Sequence, residues 1–319
     1  MAYKVASLSP TFGYYAMDPV DFLKQKGCSV EFFTKDQKEN LVHHLRDIDA
    51  IIVGFEKITK EVIAAAPKLK VITKHGAGID NIDVLAASAK GIPVITAVGA
   101  NSDAVADLTF GLFLSLARLI CSADRSVKEG KWPRVVGVQV SGKVLGIIGL
   151  GQIGKKVAVR ASGFNMKILS YDVVKDEAFA KEWGIRYCPL DDLLADADFV
   201  SIHIPLHSTT RRLIGERELK LMKKDAFLVS ISRGDIVDEE ALYEALKEER
   251  IKGAALDVFS LEPPGNSPLL SLDNVIATPH MGGYTFEALR ETGMVCVRGI
   301  VDVLEGRHPQ FAVNPEVLK

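Results

Sequence analysis

The sequence predicts an α/β protein of two doubly wound parallel-sheet domains, one inserted into the other, and three observations predict it. Short apolar runs rich in Val and Ile alternate with helix-like segments along the whole chain, the pattern of parallel strands joined by helical crossovers. One of these runs passes directly into the glycine-rich turn Gly149-Leu150-Gly151-Gln152-Ile153-Gly154, which opens a helix. A last helix, from Thr285 to about Leu304, follows the final strand and is expected to return to the first domain. The 319 residues, 48% of them hydrophobic, suffice for about two well-buried cores.

From the N-terminus, apolar runs at 5–8, 30–33, 50–53, 70–73 and 93–96 alternate with helical segments such as 20–26 and 60–66, a parallel flavodoxin-like domain. The turn Lys74-His75-Gly76-Ala77-Gly78-Ile79-Asp80-Asn81 lies at the carboxyl end of the fourth strand, where bare backbone N–H groups can meet an anion. Asn101 or Ser102 then caps a long helix through about Ile120 that is apolar on nearly every side, including Val105, Phe110, Phe113 and Leu116. A helix apolar all round must be buried, and this one is expected to cross between domains and to cover itself in a homodimer. Strands follow at 144–148, 167–171, 199–202, 226–231, 253–258 and 275–277, with helices at 152–162, 216–222 and 238–249. The expected bounds are 1–100 with 285–319 for the substrate-binding domain and 101–284 for the inserted one.

The glycine turn states what the inserted domain holds. Gly149 permits the tight turn, Gly151 lets backbone approach a pyrophosphate, and Gly154 lets the next helix pack closely on the strand. The helix aims its first N–H groups at the phosphates. The next strand ends in Asp172, placed to accept hydrogen bonds from the adenosine ribose hydroxyls and to repel a 2′-phosphate. Strand, glycines, helix, strand and terminal Asp in this order predict a Rossmann domain that binds NAD in preference to NADP.

Three polar residues stand just past the carboxyl ends of later strands of that domain: Arg233 before Gly234, Glu262 beside Pro263-Pro264, and His280 before Gly282-Gly283. An open α/β sheet binds its ligands at that edge, so the three can converge on one crevice. Their chemistry suits hydride transfer between a 2-hydroxy acid and a nicotinamide ring. His280 would take the hydroxyl proton and return it in the reverse direction. Glu262, bonded to the other ring nitrogen, would favour the imidazolium and fix its tautomer. Arg233 would hold the substrate carboxylate or polarise the carbonyl through its planar fork.

The stretches HGAGIDNID from 75 to 83, GLGQIG from 149 to 154, SIHIPLHSTTRRLI from 201 to 214, LVSISRGDIVDEEAL from 228 to 242, AALDVFSLEP from 254 to 263 and ATPHMGG from 277 to 283 carry a family resemblance. Over nearly its whole length the chain resembles the D-isomer-specific 2-hydroxyacid dehydrogenase family, in its phosphoglycerate dehydrogenase-like branch. The resemblance implies the same catalytic Arg233, Glu262 and His280. It implies cofactor contacts from Gly149, Gly151, Gln152, Ile153, Gly154, Asp172, Pro205, Thr210, Ile231, Ser232, Arg233, His280 and Gly282, with Asp257 on the nicotinamide carboxamide. It also implies that His75, Gly76, Ala77 and Gly78, with Arg233, hold the substrate, the carboxylate lying on backbone N–H groups near Ala77 and Gly78. Asp107 stands where a Glu is usual, His207 replaces a Thr while Thr210 keeps the second one, and His75 stands where phosphoglycerate enzymes carry Arg. The substrates left open are 3-phosphoglycerate, which leads, and glyoxylate, hydroxypyruvate or another small acid. A phosphate tail needs cations, for which Lys57, Lys74, His75 and Arg134 are the candidates.

Composition excludes other classes of partner. A formal net charge of −2 offers no basic stripe for nucleic acid or for an anionic membrane. The start lacks a signal-peptide core and the longest apolar stretch, 108–120, is too short to span a bilayer, so a cytoplasmic location is expected. Cys28, Cys121, Cys188 and Cys296 are scattered and read as buried reduced thiols, with no metal expected; His43, His44 and His308 read as surface residues. A function of another class is an NAD-sensing co-repressor scaffold, since this architecture also serves as a protein-binding module. Such scaffolds carry extra tails, whereas this chain ends a few residues past its last helix.

Overall fold

The structure, a computed structural model, describes residues 3–318 and divides into two compact units, 1–101 with 283–319 and 102–282. The first unit holds a five-stranded parallel sheet of β1 (Tyr3–Ser7), β2 (Cys28–Phe32), β3 (Ala50–Val53), β4 (Val71–Lys74) and β5 (Val94–Thr96), in the order β2-β1-β3-β4-β5. Its central strands are continuous apolar runs because helices cover both faces, and β3, Ala-Ile-Ile-Val, is buried at every position. Chain order reverses at β1, so the loops after β1 and β3 flank the switch point where such sheets bind ligands. Helix Phe286–Leu304 packs on β4 and β5, with Gly299 allowing close approach to Ile95. The chain then runs along the edge of β5, where Val313 N–H donates to Val94 O at 2.8 Å and Val94 N–H donates to Asn314 Oδ1 at 2.7 Å.

The second unit holds seven parallel strands: β6 (Val144–Ile148), β7 (Lys167–Tyr171), β8 (Ile185–Tyr187), β9 (Phe199–Ile202), β10 (Phe227–Ser230), β11 (Gly253–Leu256) and β12 (Val275–Ala277). Their order is β12-β11-β10-β9-β6-β7-β8, with the switch point between β6 and β9. The edge strand β8 was not expected from the sequence. Its three residues follow the helix Glu177–Trp183 after a left-handed Gly184, too short a run to show a period.

The long apolar helix departs from expectation in two ways. It runs Ser102–Arg118 and breaks at Leu119, whose φ is +56°, and a second helix, Ile120–Lys128, leaves at 64°. Its apolar surface is also covered largely within its own unit. Val105, Phe110, Leu112, Phe113 and Leu116 are buried with the helix Gln152–Gly163 and with β10 and β11, and Phe113 meets Phe199 edge-on at 5.2 Å. All-round apolar character here reflects a helix sunk in one core, so it is no argument for a partner. A group of exposed apolar side chains lies just beyond it, at Leu119, Ile120, Val127, Trp132, Val135 and Val136. Among the described residues no single helix is long and apolar enough to cross a membrane. The thiols of Cys28 and Cys296 are buried as expected, but Cys121, in the helix after the break, is exposed.

Candidate active site

Where β6 ends, Gly149 takes φ +96°, and a Cβ there would lie 2.9 Å from the His203 carbonyl carbon on the loop after β9. A Cβ on Gly154 would collide with the Gly149 carbonyl oxygen, so the helix Gln152–Gly163 sits on the turn only because Gly154 has none. A Cβ at Gly151 would meet nothing within 4 Å, and this N-cap supplies no side-chain bond to the first N–H groups of the helix. The result is a bare cradle of donors at a helix N-terminus, which fits a pyrophosphate. Asp172 stands at its edge, with Oδ2 accepting from Leu150 N–H at 2.7 Å and Oδ1 from Val174 N–H at 3.0 Å. The carboxylate is thereby fixed, and each oxygen keeps capacity for a ribose hydroxyl.

The loop after β9 is shaped by Thr210, whose Oγ1 donates to Pro205 O at 2.7 Å and accepts from His207 N–H at 2.9 Å. His203, on the same loop, was not singled out by the sequence. Both its ring nitrogens are buried without a hydrogen bond, and burial pushes its pKa down to about 3. Nothing in sequence spacing separates it from a surface histidine.

The three residues expected to be catalytic come from the loops after β10, β11 and β12. Gly234 brings the first two loops together, because its missing Cβ is replaced by the backbone of Phe259. Glu262 Oε1 accepts from Phe259 N–H at 3.1 Å, and Oε2 lies 2.7 Å from His280 Nδ1. Partial burial pushes the Glu262 carboxyl up, but the bond and charge of His280, the Phe259 N–H and the Arg233 charge outweigh it and hold the pKa below the ordinary value. Glu262 is therefore an ionised partner for the imidazole. Arg233 Nη1 donates to its neighbour's carbonyl, Ser232 O, at 2.6 Å, while the Ser232 hydroxyl is buried without a partner. Ile231, which ends this run, is buried beside them.

His280 itself has φ +52°, the left-handed region that side-chain-bearing residues rarely adopt. Its flanks are tied to Asp257, at the end of β11 and 1% exposed. Asp257 Oδ1 accepts from Thr278 Oγ1 at 2.6 Å and Met281 N–H at 2.8 Å, and Oδ2 accepts from Gly282 N–H at 2.8 Å.

In the first unit the turn after β4 directs its carbonyls inward. Thr96 Oγ1 donates to Gly76 O at 3.1 Å and to Ala77 O at 2.7 Å, and Ala97 N–H donates to Gly76 O at 3.0 Å. The N–H groups of Ala77 and Gly78 make no hydrogen bond among the described residues. His75 behaves differently from a surface-facing ligand. Its Nδ1 lies 2.9 Å from Ser9 Oγ and 3.3 Å from Thr11 Oγ1, Nε2 is buried, and the ring stands edge-on to Phe12. Burial pushes its pKa down to about 4, with the Lys74 charge acting in the same direction, so the ring is neutral at pH 7. Lys74 donates to Gly54 O and to Asn81 Oδ1, the latter at 3.0 Å.

These features can be compared with known proteins. The sequence model described as D-isomer specific 2-hydroxyacid dehydrogenase, NAD binding domain, matches residues 110–282, more than half of the chain. A D-3-phosphoglycerate dehydrogenase of Methanocaldococcus jannaschii is 45% identical over 301 residues, 93% of this chain but 57% of that protein, so the chain spans little more than half of that relative's length. A glyoxylate reductase of Korarchaeum cryptofilum is 42% identical over 290 residues, 88% of this chain and 87% of that one. A solved D-lactate dehydrogenase from Aquifex aeolicus, complexed with NAD and lactic acid, superposes with a TM-score of 0.84 at 31% identity, covering 95% of this chain and 96% of that one. With a family model over more than half of its length and a relative 42% identical over 88% of it, the chain belongs to the D-isomer specific 2-hydroxyacid dehydrogenase family, a family of NAD-binding oxidoreductases.

Proposed function

We propose that the chain is an NAD-dependent D-2-hydroxyacid dehydrogenase, acting on the CH–OH group of small unphosphorylated acids of the glyoxylate and hydroxypyruvate kind. The observation that carries this reading is the 2.7 Å bond between His280 Nδ1 and Glu262 Oε2, with the Arg233 charge acting on the same carboxylate. NADH supplies the hydride when bound. The chain's own part is the proton: Nε2 of His280, the nitrogen opposite the Glu262 bond, gives it to the carbonyl oxygen as that oxygen gains charge, and takes it back in the oxidation. Glu262 holds the tautomer and offsets the charge on the ring. Arg233 orients the acid through its fork.

The preference for unphosphorylated acids rests on the charges at the strand ends of the first unit. His75 is neutral there, Lys74 is committed to a carbonyl and an amide, and Lys38 is paired at 3.4 Å with Glu56, a carboxylate whose other oxygen accepts from Gly54 N–H at 3.2 Å. Lys57 is exposed. That leaves few uncommitted cations at these strand ends for a phosphate dianion, which disfavours 3-phosphoglycerate. The test is NADH oxidation with glyoxylate, hydroxypyruvate and phosphohydroxypyruvate. Higher catalytic efficiency with the phosphorylated acid would overturn the preference, and no turnover with any 2-oxo acid would overturn the activity.

The proposed assembly is a homodimer. It is supported by the apolar side chains that residues 119–138 leave in solvent, among them Ile120, Val127, Trp132 at 83% exposure and Val136 at 90%. A monodisperse monomer in light scattering at micromolar concentration would refute it.

A further inference from the structure

We infer that Thr278 is a positioning residue for the proton transfer: its half-buried hydroxyl and the buried Asp257 form a clamp that imposes the left-handed backbone on His280 and so aims the imidazole. The inference rests on the role proposed above for His280. Family resemblance places Asp257 on the nicotinamide carboxamide, yet three of the roughly four acceptor positions of its carboxylate are taken by the loop that carries His280. Those bonds fall on both sides of the histidine. Thr278 is held before it, and Met281 and Gly282 after it. The clamp is itself anchored in the sheet, since Asp257 N–H donates to Ser230 O at 2.9 Å and Thr278 N–H donates to Leu256 O at 2.9 Å.

The strained backbone needs such a hold. A residue with a side chain at φ +52° sits above the ordinary helical and extended regions in energy. Hydrogen bonds to a carboxylate are stronger than those between neutral groups, so the three together hold the loop against relaxation. Gly282 lets the loop come this close to Asp257, as a Cβ there would lie 3.1 Å from Asp257 Oδ2 and 3.3 Å from Ile231 Cγ1. With the backbone left-handed, the ring reaches Glu262 at 2.7 Å. A return to negative φ turns the Cα–Cβ bond and takes Nδ1 away from that carboxylate. Thr278 therefore controls which way Nε2 points.

Thr278→Val keeps the shape and removes the hydroxyl, while Thr278→Ser keeps the hydroxyl. The expected result for Thr278→Val is a fall in kcat of about 10- to 100-fold, the scale of an ångström-level misplacement. NADH affinity, followed by its fluorescence, should stay within about twofold, and Thr278→Ser should restore kcat to within about threefold. Hydrogen exchange across residues 278–284 supplies a readout that needs no turnover. The Met281 and Gly282 amides should exchange faster in Thr278→Val and at the native rate in Thr278→Ser. Unchanged kcat per NADH-binding site, a loss of NADH affinity in step with kcat, or unchanged exchange at these amides would each overturn the clamp. A wild type that reduces no 2-oxo acid overturns the proposed activity instead, and the exchange comparison still decides whether Thr278 holds the loop.

Discussion

His75 and His280 occupy matching places, each just past the carboxyl end of a strand in a parallel sheet, and the two units use them in opposite ways. His280 stays partly open to solvent and is bonded to an ionised carboxylate, whereas His75 is turned into its own unit, bonded to two hydroxyls and held neutral. Position on the fold grants access to the ligand edge; the neighbour and the degree of burial decide whether an imidazole carries a proton. An ionised Glu262 fixes the tautomer of one ring by accepting from its Nδ1, and Ser9 and Thr11 are partners that suit a neutral one.

The contrast can be broken first at His280. His280→Ala should lower kcat by about 10²- to 10⁴-fold, the usual contribution of a general acid–base group, with NADH binding nearly intact. Near-native turnover of this variant would erase the distinction between the two histidines. Arg233→Ala should cost about 10²- to 10³-fold in kcat/KM, and Arg233→Lys should recover only part, since an ammonium cannot reproduce the fork. Full recovery by Lys would mean that Arg233 acts as a point charge.

A smaller effect tests the glycine cradle. NADH should exceed NADPH in catalytic efficiency by about 10²-fold, because Asp172 meets a 2′-phosphate with like charge. The two nearby lysines are committed elsewhere: Lys155 pairs with Asp176 at 2.5 Å, and Lys175 lies over the Tyr187 ring at 5.5 Å. Equal use of the two cofactors would remove Asp172 from that role.

The last prediction concerns stability, where His75 has its own signature. Its folded pKa of about 4 lies below the unfolded value of 6.5, so the unfolded chain binds more protons between these pH values and stability is lost as pH falls through that window. The contribution is at most about 3 kcal/mol. His75→Asn should flatten the dependence of urea midpoint on pH between 6.5 and 4. Some slope should remain, because His203, pushed down to about 3, acts in the same sense to lower pH. An unchanged slope would show that the His75 ring protonates freely in the folded state.

The sequence by itself determined the two sheets apart from the edge strand β8, the glycine turn, and the places of Asp172, Arg233, Glu262 and His280 at strand ends. These were legible because each rests on local rules: buried parallel strands are unbroken apolar runs, a phosphate turn needs its glycines at fixed spacing, and strand ends fall where those runs stop. Tertiary structure alone decided what surrounds those positions. Whether His75 faces a ligand depends on Ser9 and Thr11, 66 and 64 residues away in sequence, and whether Asp257 is available to a cofactor depends on Thr278, Met281 and Gly282 folding back onto it. The cover over the Ser102–Arg118 helix was likewise set by packing within the second unit. A pattern of residue types fixes where a side chain leaves the backbone. Its charge state depends on the groups that the fold packs around it, because desolvation and hydrogen bonding act over a few ångströms of space whatever the separation along the chain.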